Sequence, residues 1–136
     1  MIVDASDLIV GRMATFVAKK SLMGEKVDVV NCEKAIMTGK KKEVFNRLKE
    51  KRDRGDALKG PYMQKMPDRF IRRVIRGMLP YKQEKGLSAF KRVMCYIGVP
   101  NEFKDKKFET IKNAHISTSR AMSYVTVGDI CAFLKK

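Results

Sequence analysis

The chain has 136 residues, room for one hydrophobic core, and 44% of them are hydrophobic, which is ordinary for a globular protein and too many for a disordered tail. Lys and Arg number 30 against 15 Asp and Glu, a formal net charge of +15. No run approaches the roughly 18 apolar residues of a membrane span, and the start, MIVDASDLIVG, has acids and no basic region, so a secretory signal is not expected.

In chain order, Met1 to Ala5 is a short apolar start that reads as a strand. Val10, Met13, Ala14, Val17 and Ala18 follow the helical i, i+3, i+4 template, so 10–23 reads as an amphipathic helix stopped by Gly24. Val27 to Asn31, VDVVN, is mostly β-branched, the mark of a short buried strand. Strand, helix and strand over about thirty residues predict a right-handed βαβ unit with a parallel sheet. Ala35 to Met37 is a short apolar piece. Lys40 to Arg54 reads as a highly charged helix with only Val44, Phe45 and Leu48 on its apolar side. Gly55 to Met66, with two glycines and Pro61, reads as an extended loop.

The stretch Asp68 to Lys82, DRFIRRVIRGMLPYK, divides into two faces at about 100° per residue. Phe70, Ile71, Val74, Ile75, Met78 and Leu79 form an apolar stripe. Arg69, Arg72, Arg73 and Arg76 form the opposite one. Four like charges at this spacing repel by a few tenths of a kcal/mol per pair, a cost that a polyanion along the stripe would reverse. Pro67 and Asp68 suit the helix start, and Gly77 and Pro80 bracket its end. A short helix is expected over Leu87 to Val93, opened by Gly86, running into a third strand, Val93 to Ile97, which Gly98-Val-Pro100 ends. Asn101 to Ser123 is polar and weakly patterned, a segment that wraps the surface or waits for a partner. Val125 and Val127 read as a last extended piece. Thr126-x-x-Asp129 resembles a capping pair before a short terminal helix carrying Ile130, Cys131, Phe133 and Leu134.

The location of the charge says more than its size. Residues 1–38 sum to zero; residues 39–92 carry eighteen basic and six acidic groups, +12; residues 93–136 sum to +3. A polyanion is the natural partner of such a middle segment, and nucleic acid is the commonest. Lys40, Lys41, Lys42, Arg47 and Arg54 supply cations from the first basic helix, and Lys82 and Lys85 follow the arginine stripe. Between them the loop GDALKGPYMQKMP offers backbone at Gly60 and Pro61. Tyr62 and Tyr81, beside Lys59, Lys65 and Lys82, either pack with a wet hydroxyl or stack on unpaired bases. Arginine suits a bidentate grip on phosphate. No base-reading signature accompanies these residues, which favours recognition of shape and backbone.

Catalytic chemistry is not legible. Gly11 stands alone in the first turn without G-x-G-x-x-G, so at most one phosphate could sit at that helix N-terminus. Thr38-Gly39-Lys40-Lys41 lacks the rest of a phosphate loop. His115, the only histidine, has no carboxylate or cysteine at ligand spacing and reads as a turn residue. Ser117-Thr118-Ser119 has no nucleophile context. Asp4 and Asp7 read as turn and cap residues. Cys32, Cys95 and Cys131 have no C-x-x-C spacing; they fit a reducing cytosol as buried small hydrophobes. No enzyme, metal or cofactor is expected.

Several motifs together resemble a known family. They are Asp4-Ala5, Gly11-Arg12-Met13-Ala14-Thr15, Ala18-Lys19, Val29-Val30-Asn31-Cys32-Glu33, Thr38-Gly39-Lys40-Lys41, Gly60-Pro61-Tyr62 and, most specific, Ile75-Arg76-Gly77-Met78-Leu79-Pro80. Gly86-x-x-Ala89-x-x-Arg92-Val93 and Tyr96-x-Gly98-x-Pro100 follow, and Tyr124-x-Thr126-x-Gly128-Asp129-Ile130 fits more loosely. Their order and spacing resemble the universal large-subunit ribosomal protein L-thirteen family in its archaeal form, closely to about residue 100. The resemblance implies an α/β fold, three-layer α/β/α around a small, mainly parallel sheet. It implies a single ribosomal protein domain over 1–136, with a basic RNA-facing segment 39–92 and a looser extension 101–136. It implies a cytoplasmic structural constituent of the large subunit, monomeric within the ribosome, that binds large-subunit ribosomal RNA early in assembly. Neighbouring ribosomal proteins, L-three among them, are implied contacts. By the same resemblance Arg72, Arg73, Arg76, Gly77 and Lys82, with Gly60 and Pro61 nearby, face RNA. Two other classes compete: a mononucleotide-binding enzyme at Gly11, and a basic amphipathic module for acidic membranes or protein partners. The second requires the apolar stripe of 70–79 to lie exposed.

Overall fold

In the computed structural model, which describes residues 1–56 and 58–135, five strands and five helices form a mixed α/β fold. Strand β1 (Ile2–Asp4) leads through helix α1 (Val10–Leu22) to strand β2 (Val27–Val30), which lies parallel to it with Val3 beside Val29. Strand β4 (Val93–Cys95) lies parallel on the far side of β2, giving the order β1-β2-β4. The β-branched run at 27–30 is buried at every position because it is the central strand. Val3, Val27, Val29, Val93 and Cys95 share one face in register. They form one core with Met13, Ala14 and Val17 of α1.

A second, antiparallel pair joins β3 (Ile36–Thr38) to β5 (Tyr124–Thr126). The short apolar piece at 35–37 is thus a strand whose partner lies some ninety residues away. Helix α2 (Lys41–Asp53) buries Val44 and Leu48, and its Phe45 ring stacks on Phe133 of α5 (Val127–Lys135) at 4.4 Å between centroids. Val127 opens this helix rather than extending the strand. The Asp129 amide donates to Thr126 Oγ1 at 3.2 Å, one half of the expected capping pair.

Helix α3 (Pro67–Gly77) has Pro67 in its first turn and Asp68 beside it, as the sequence predicts. Phe70, Ile71, Ile75 and Leu79 enter the core, and Val74 packs against it half-buried. Met78 departs from the expected stripe: it follows the end of the helix and is 42% exposed, its sulfur accepting from the Thr15 hydroxyl at 3.6 Å. Helix α4 (Glu84–Lys91) begins three residues before the expected Leu87. Its first turn is polar because it faces outward, so no apolar periodicity announced it. Gly86 lies inside this helix, buried against the Pro80 carbonyl, where a Cβ would collide with backbone. Its role is close approach, not initiation.

The segment 101–123 wraps the molecule through three short 3₁₀ turns. Glu109 closes the outer edge of β1: its amide donates to the Ile2 carbonyl at 2.8 Å, and its carbonyl accepts from the Asp4 amide at 3.2 Å. Farther on, the Ile9 amide donates to the Ala114 carbonyl at 2.8 Å. His115 sits in this stretch as a turn residue, its Nδ1 accepting from the Ser117 amide at 3.2 Å.

Asp4 ties the ends of β1 and β2 together. Its Oδ1 accepts from the Ser6 amide at 3.0 Å, the Ser6 hydroxyl at 2.8 Å and Asn31 Nδ2 at 2.9 Å. Burial alone would raise this carboxyl, but the bonds from Asn31 and Ser6, with the Lys34 charge, outweigh it and hold it below its ordinary value. A carboxyl lowered in the folded state binds its proton less readily than in the unfolded chain. Its stabilisation is complete above the unfolded value and disappears as pH falls through the lowered folded one. Asp4→Asn is expected to cost about 1 kcal/mol in urea unfolding at neutral pH. The gap to the wild type is expected to close below about pH 4. A gap that persists unchanged into acid would show that the carboxylate charge contributes nothing.

The three cysteines are buried and unpaired, as the sequence predicts. The Cys32 thiol, which donates to the Val29 carbonyl at 3.6 Å, is raised by the neighbouring Cys95 thiol and by burial, and burial pushes Cys131 up to about 11, so neither is a thiolate at neutral pH.

Candidate nucleic-acid interface

The basic residues gather around three adjoining clefts, with the extended segment 60–65 as the ridge between them. The first, about 490 Å³, is lined by Arg69, Arg72, Arg73 and Arg76 of α3 together with Tyr62, Gln64 and Phe90. The second, about 340 Å³, separates α2 from α3 and is edged by Arg47, Lys51 and Arg73 over an apolar floor that includes Leu48 and Phe70. The third, about 460 Å³, lies between the end of α2 and the loop, with Arg52, Arg54, Gly60, Pro61, Tyr62 and Lys65 on its walls. Arg73 borders the first two, Tyr62 the first and third.

The arginine face takes its order from packing. Ile71 and Ile75 are fully buried, so the helix cannot rotate about its axis without exposing them, and the guanidiniums are fixed on the outer side. Arg72 is half-buried, its guanidinium 4.6 Å from the centre of the Phe90 ring. Its Nε is shut off from solvent and has no hydrogen-bond partner among the described residues. Arg73 Nη1 donates to the Tyr62 carbonyl at 2.6 Å, holding the ridge against α3. Arg76 lies over the Tyr81 ring at 5.0 Å, while Arg69 is exposed.

None of these four arginines has a carboxylate partner among the described residues. Among the described residues the ion pairs are Lys20–Glu25, Lys40–Glu43 and Arg52–Asp53. Asp68 stands one helical turn before Arg72, where a pair would form, yet no ion pair joins them, and Asp68 Oδ1 is buried without a hydrogen-bond partner among the described residues. Unneutralised cations at this density attract multivalent anions.

Not every cation named from the sequence joins the clefts. Lys40, Lys41 and Lys42 stand exposed at the start of α2, Lys40 at 3.8 Å from Glu43 and Lys41 at 5.5 Å over the Phe45 ring. Lys82 and Lys85 are exposed beyond α3, at and after the turn that follows it. Gly77 ends α3 with open space around its Cα, so nothing in the fold demands glycine there. Gln64 and Phe90 line the arginine cleft although they carry no charge. Phe90 comes from a helix well downstream, and no sequence spacing connects it to Arg72.

Among the described residues no group of His, Cys, Asp and Glu is arranged to hold a metal ion, and no helix is long and apolar enough to cross a membrane. The apolar stripe needed for an amphipathic membrane or partner module is largely buried, at Phe70, Ile71, Ile75 and Leu79.

The small α/β body presents one side of cations that have no carboxylate partner among the described residues. Comparison with known proteins defines it further. The family model described as "Ribosomal protein L13" matches residues 1–102. Curated relatives named large ribosomal subunit protein uL13 match over nearly the whole chain. That of Archaeoglobus fulgidus is 43% identical over 134 residues, covering 98% of this chain and 86% of its own. Those of Methanococcoides burtonii and Methanosarcina barkeri are 40% and 42% identical, each covering 95% of this chain and 93% of their own. The chain belongs to the ribosomal protein L13 family. It is a structural constituent of the ribosome and not an enzyme.

Proposed function

We propose that this protein binds large-subunit ribosomal RNA through the side built by α2, the 55–66 loop and α3, and that it supports early assembly of that subunit. The observation that carries the reading is the set of four α3 arginines, fixed by a buried apolar face and free of carboxylate partners among the described residues. The relatives are named as large ribosomal subunit proteins. Lys40, Lys41, Lys42, Lys82 and Lys85 would extend the contact at its margins. Binding is an exchange of counterions: each phosphate neutralised releases condensed cations, so affinity falls steeply with salt. Fixing the charges beforehand reduces the entropy lost on binding. Neighbouring ribosomal proteins, with L-three among those expected from the family, would pack on the surfaces the RNA leaves uncovered.

The test is equilibrium binding of the wild-type protein to fragments of large-subunit ribosomal RNA across a salt series. Five or six phosphate contacts predict a log–log slope of roughly −4 to −5, since each contributes about 0.7–0.9. A slope near zero, or no binding at low salt, would overturn the reading. Leaving the protein out of a subunit reconstitution is expected to stall particles before the complete large subunit, and an unaffected yield would remove the assembly role.

A further inference from the structure

The cleft on α3 has more structure than electrostatic attraction to a duplex requires. It is an open hollow of about 490 Å³, within the size range of small-ligand sites. Three aromatic rings stand near the four arginines, and two already carry a guanidinium: Phe90 under Arg72 and Tyr81 under Arg76. Over Tyr62 no ring or cation lies among the described residues, and the side chain is 63% exposed.

Tyr62 is nevertheless held still. Its hydroxyl donates to the Leu58 carbonyl, its own carbonyl accepts from Arg73, and its ring lies against Gly60, where a Cβ would stand 3.2 Å from the ring edge. Gly60 has φ +89°, a conformation that L side chains rarely adopt, so the close seat needs glycine twice over. The result is a fixed aromatic plane with an open face at the mouth of an arginine-lined cleft. The Gln64 amide beside it offers both a donor and an acceptor.

We infer that this cleft takes a single unpaired nucleotide of RNA, with its phosphate on the α3 guanidiniums, its base stacked on Tyr62 and its edge within reach of Gln64. The inference rests on the RNA-binding reading above and deepens it. Arg72 lines the cleft half-buried, its guanidinium already seated over the Phe90 ring before a phosphate arrives. Arg69 and Arg73 close on the same phosphate from the rim. A base stacked on a ring already held by the Leu58 carbonyl and Gly60 costs little further ordering.

The test compares a short single-stranded RNA oligonucleotide with a short blunt-ended RNA duplex at one salt concentration. Four proteins are titrated: wild type, Tyr62→Ala, Tyr62→Phe, and Arg72→Ala/Arg73→Ala/Arg76→Ala. Tyr62→Ala is expected to weaken single-strand binding about 5- to 100-fold and to leave the duplex within about twofold. Tyr62→Phe, which keeps the ring, is expected to restore most of the single-strand affinity, and the triple variant to weaken both RNAs. If Tyr62→Ala weakens both RNAs equally, or neither, while the triple variant weakens both, the nucleotide site is wrong and the basic face stands. If the triple variant also leaves both RNAs unchanged, the RNA reading of this side falls, and the nucleotide site with it.

Discussion

Replacing Arg72, Arg73 and Arg76 together by alanine is expected to reduce the log–log salt slope of binding to large-subunit RNA by roughly two to three. Each phosphate contact removed takes away about 0.7–0.9. The fold is expected to survive. Arg73 and Arg76 are exposed, and their mutual repulsion is relieved. Arg72 forfeits its position over Phe90, a loss of about 0.5–1 kcal/mol that urea unfolding would detect. A changed slope with an almost unchanged unfolding midpoint is the signature of side chains that serve the partner and not the body. An unchanged slope with the fold intact would transfer the RNA contact to α2 and the 55–66 loop, where Arg47, Arg52 and Arg54 line the other two clefts.

The opposite face of the same helix should give the opposite result. Ile75→Ala is expected to cost about 2–5 kcal/mol in urea unfolding, because Ile75 is wholly buried and the core cannot fully close over the space left. Its salt slope, measured on the fraction still folded below the denaturation midpoint, should match the wild type. If Ile75→Ala changed the slope while sparing stability, the division of α3 into a core face and a partner face would be wrong.

That division was the most legible feature of the chain, because two chemically opposite residue classes alternate at a single period through eleven residues. The β1–α1–β2 start was legible for a similar reason: its partners are close in sequence and its pattern changes from helical spacing to a β-branched run. What stayed hidden depends on distance along the chain. Ile36–Thr38 carries no sign that Tyr124–Thr126 will pair with it. The start of α4 was hidden by Glu84 and Lys85, polar residues on an outward-facing first turn. Met78 continues the apolar period, yet the helix has ended one residue earlier, so the period no longer fixes its direction. The cations could be counted, but their gathering around the 60–65 ridge depends on a loop without periodicity.

The edge contact made by Glu109 also governs the order in which the molecule can be completed. Strand β1 is made first, yet its outer edge is covered only when residue 109 arrives, and β3 waits for residues 124–126. At about 5–20 residues per second of synthesis, the arginine helix precedes these closing segments by several seconds. During that interval the cations are already present on a body that is still open. A nascent chain in this state would be an adhesive for any RNA within reach, and pairing across the full length of the sequence is intrinsically slow. Completion of the C-terminal strand, and not formation of the basic surface, would then mark the moment when binding becomes selective.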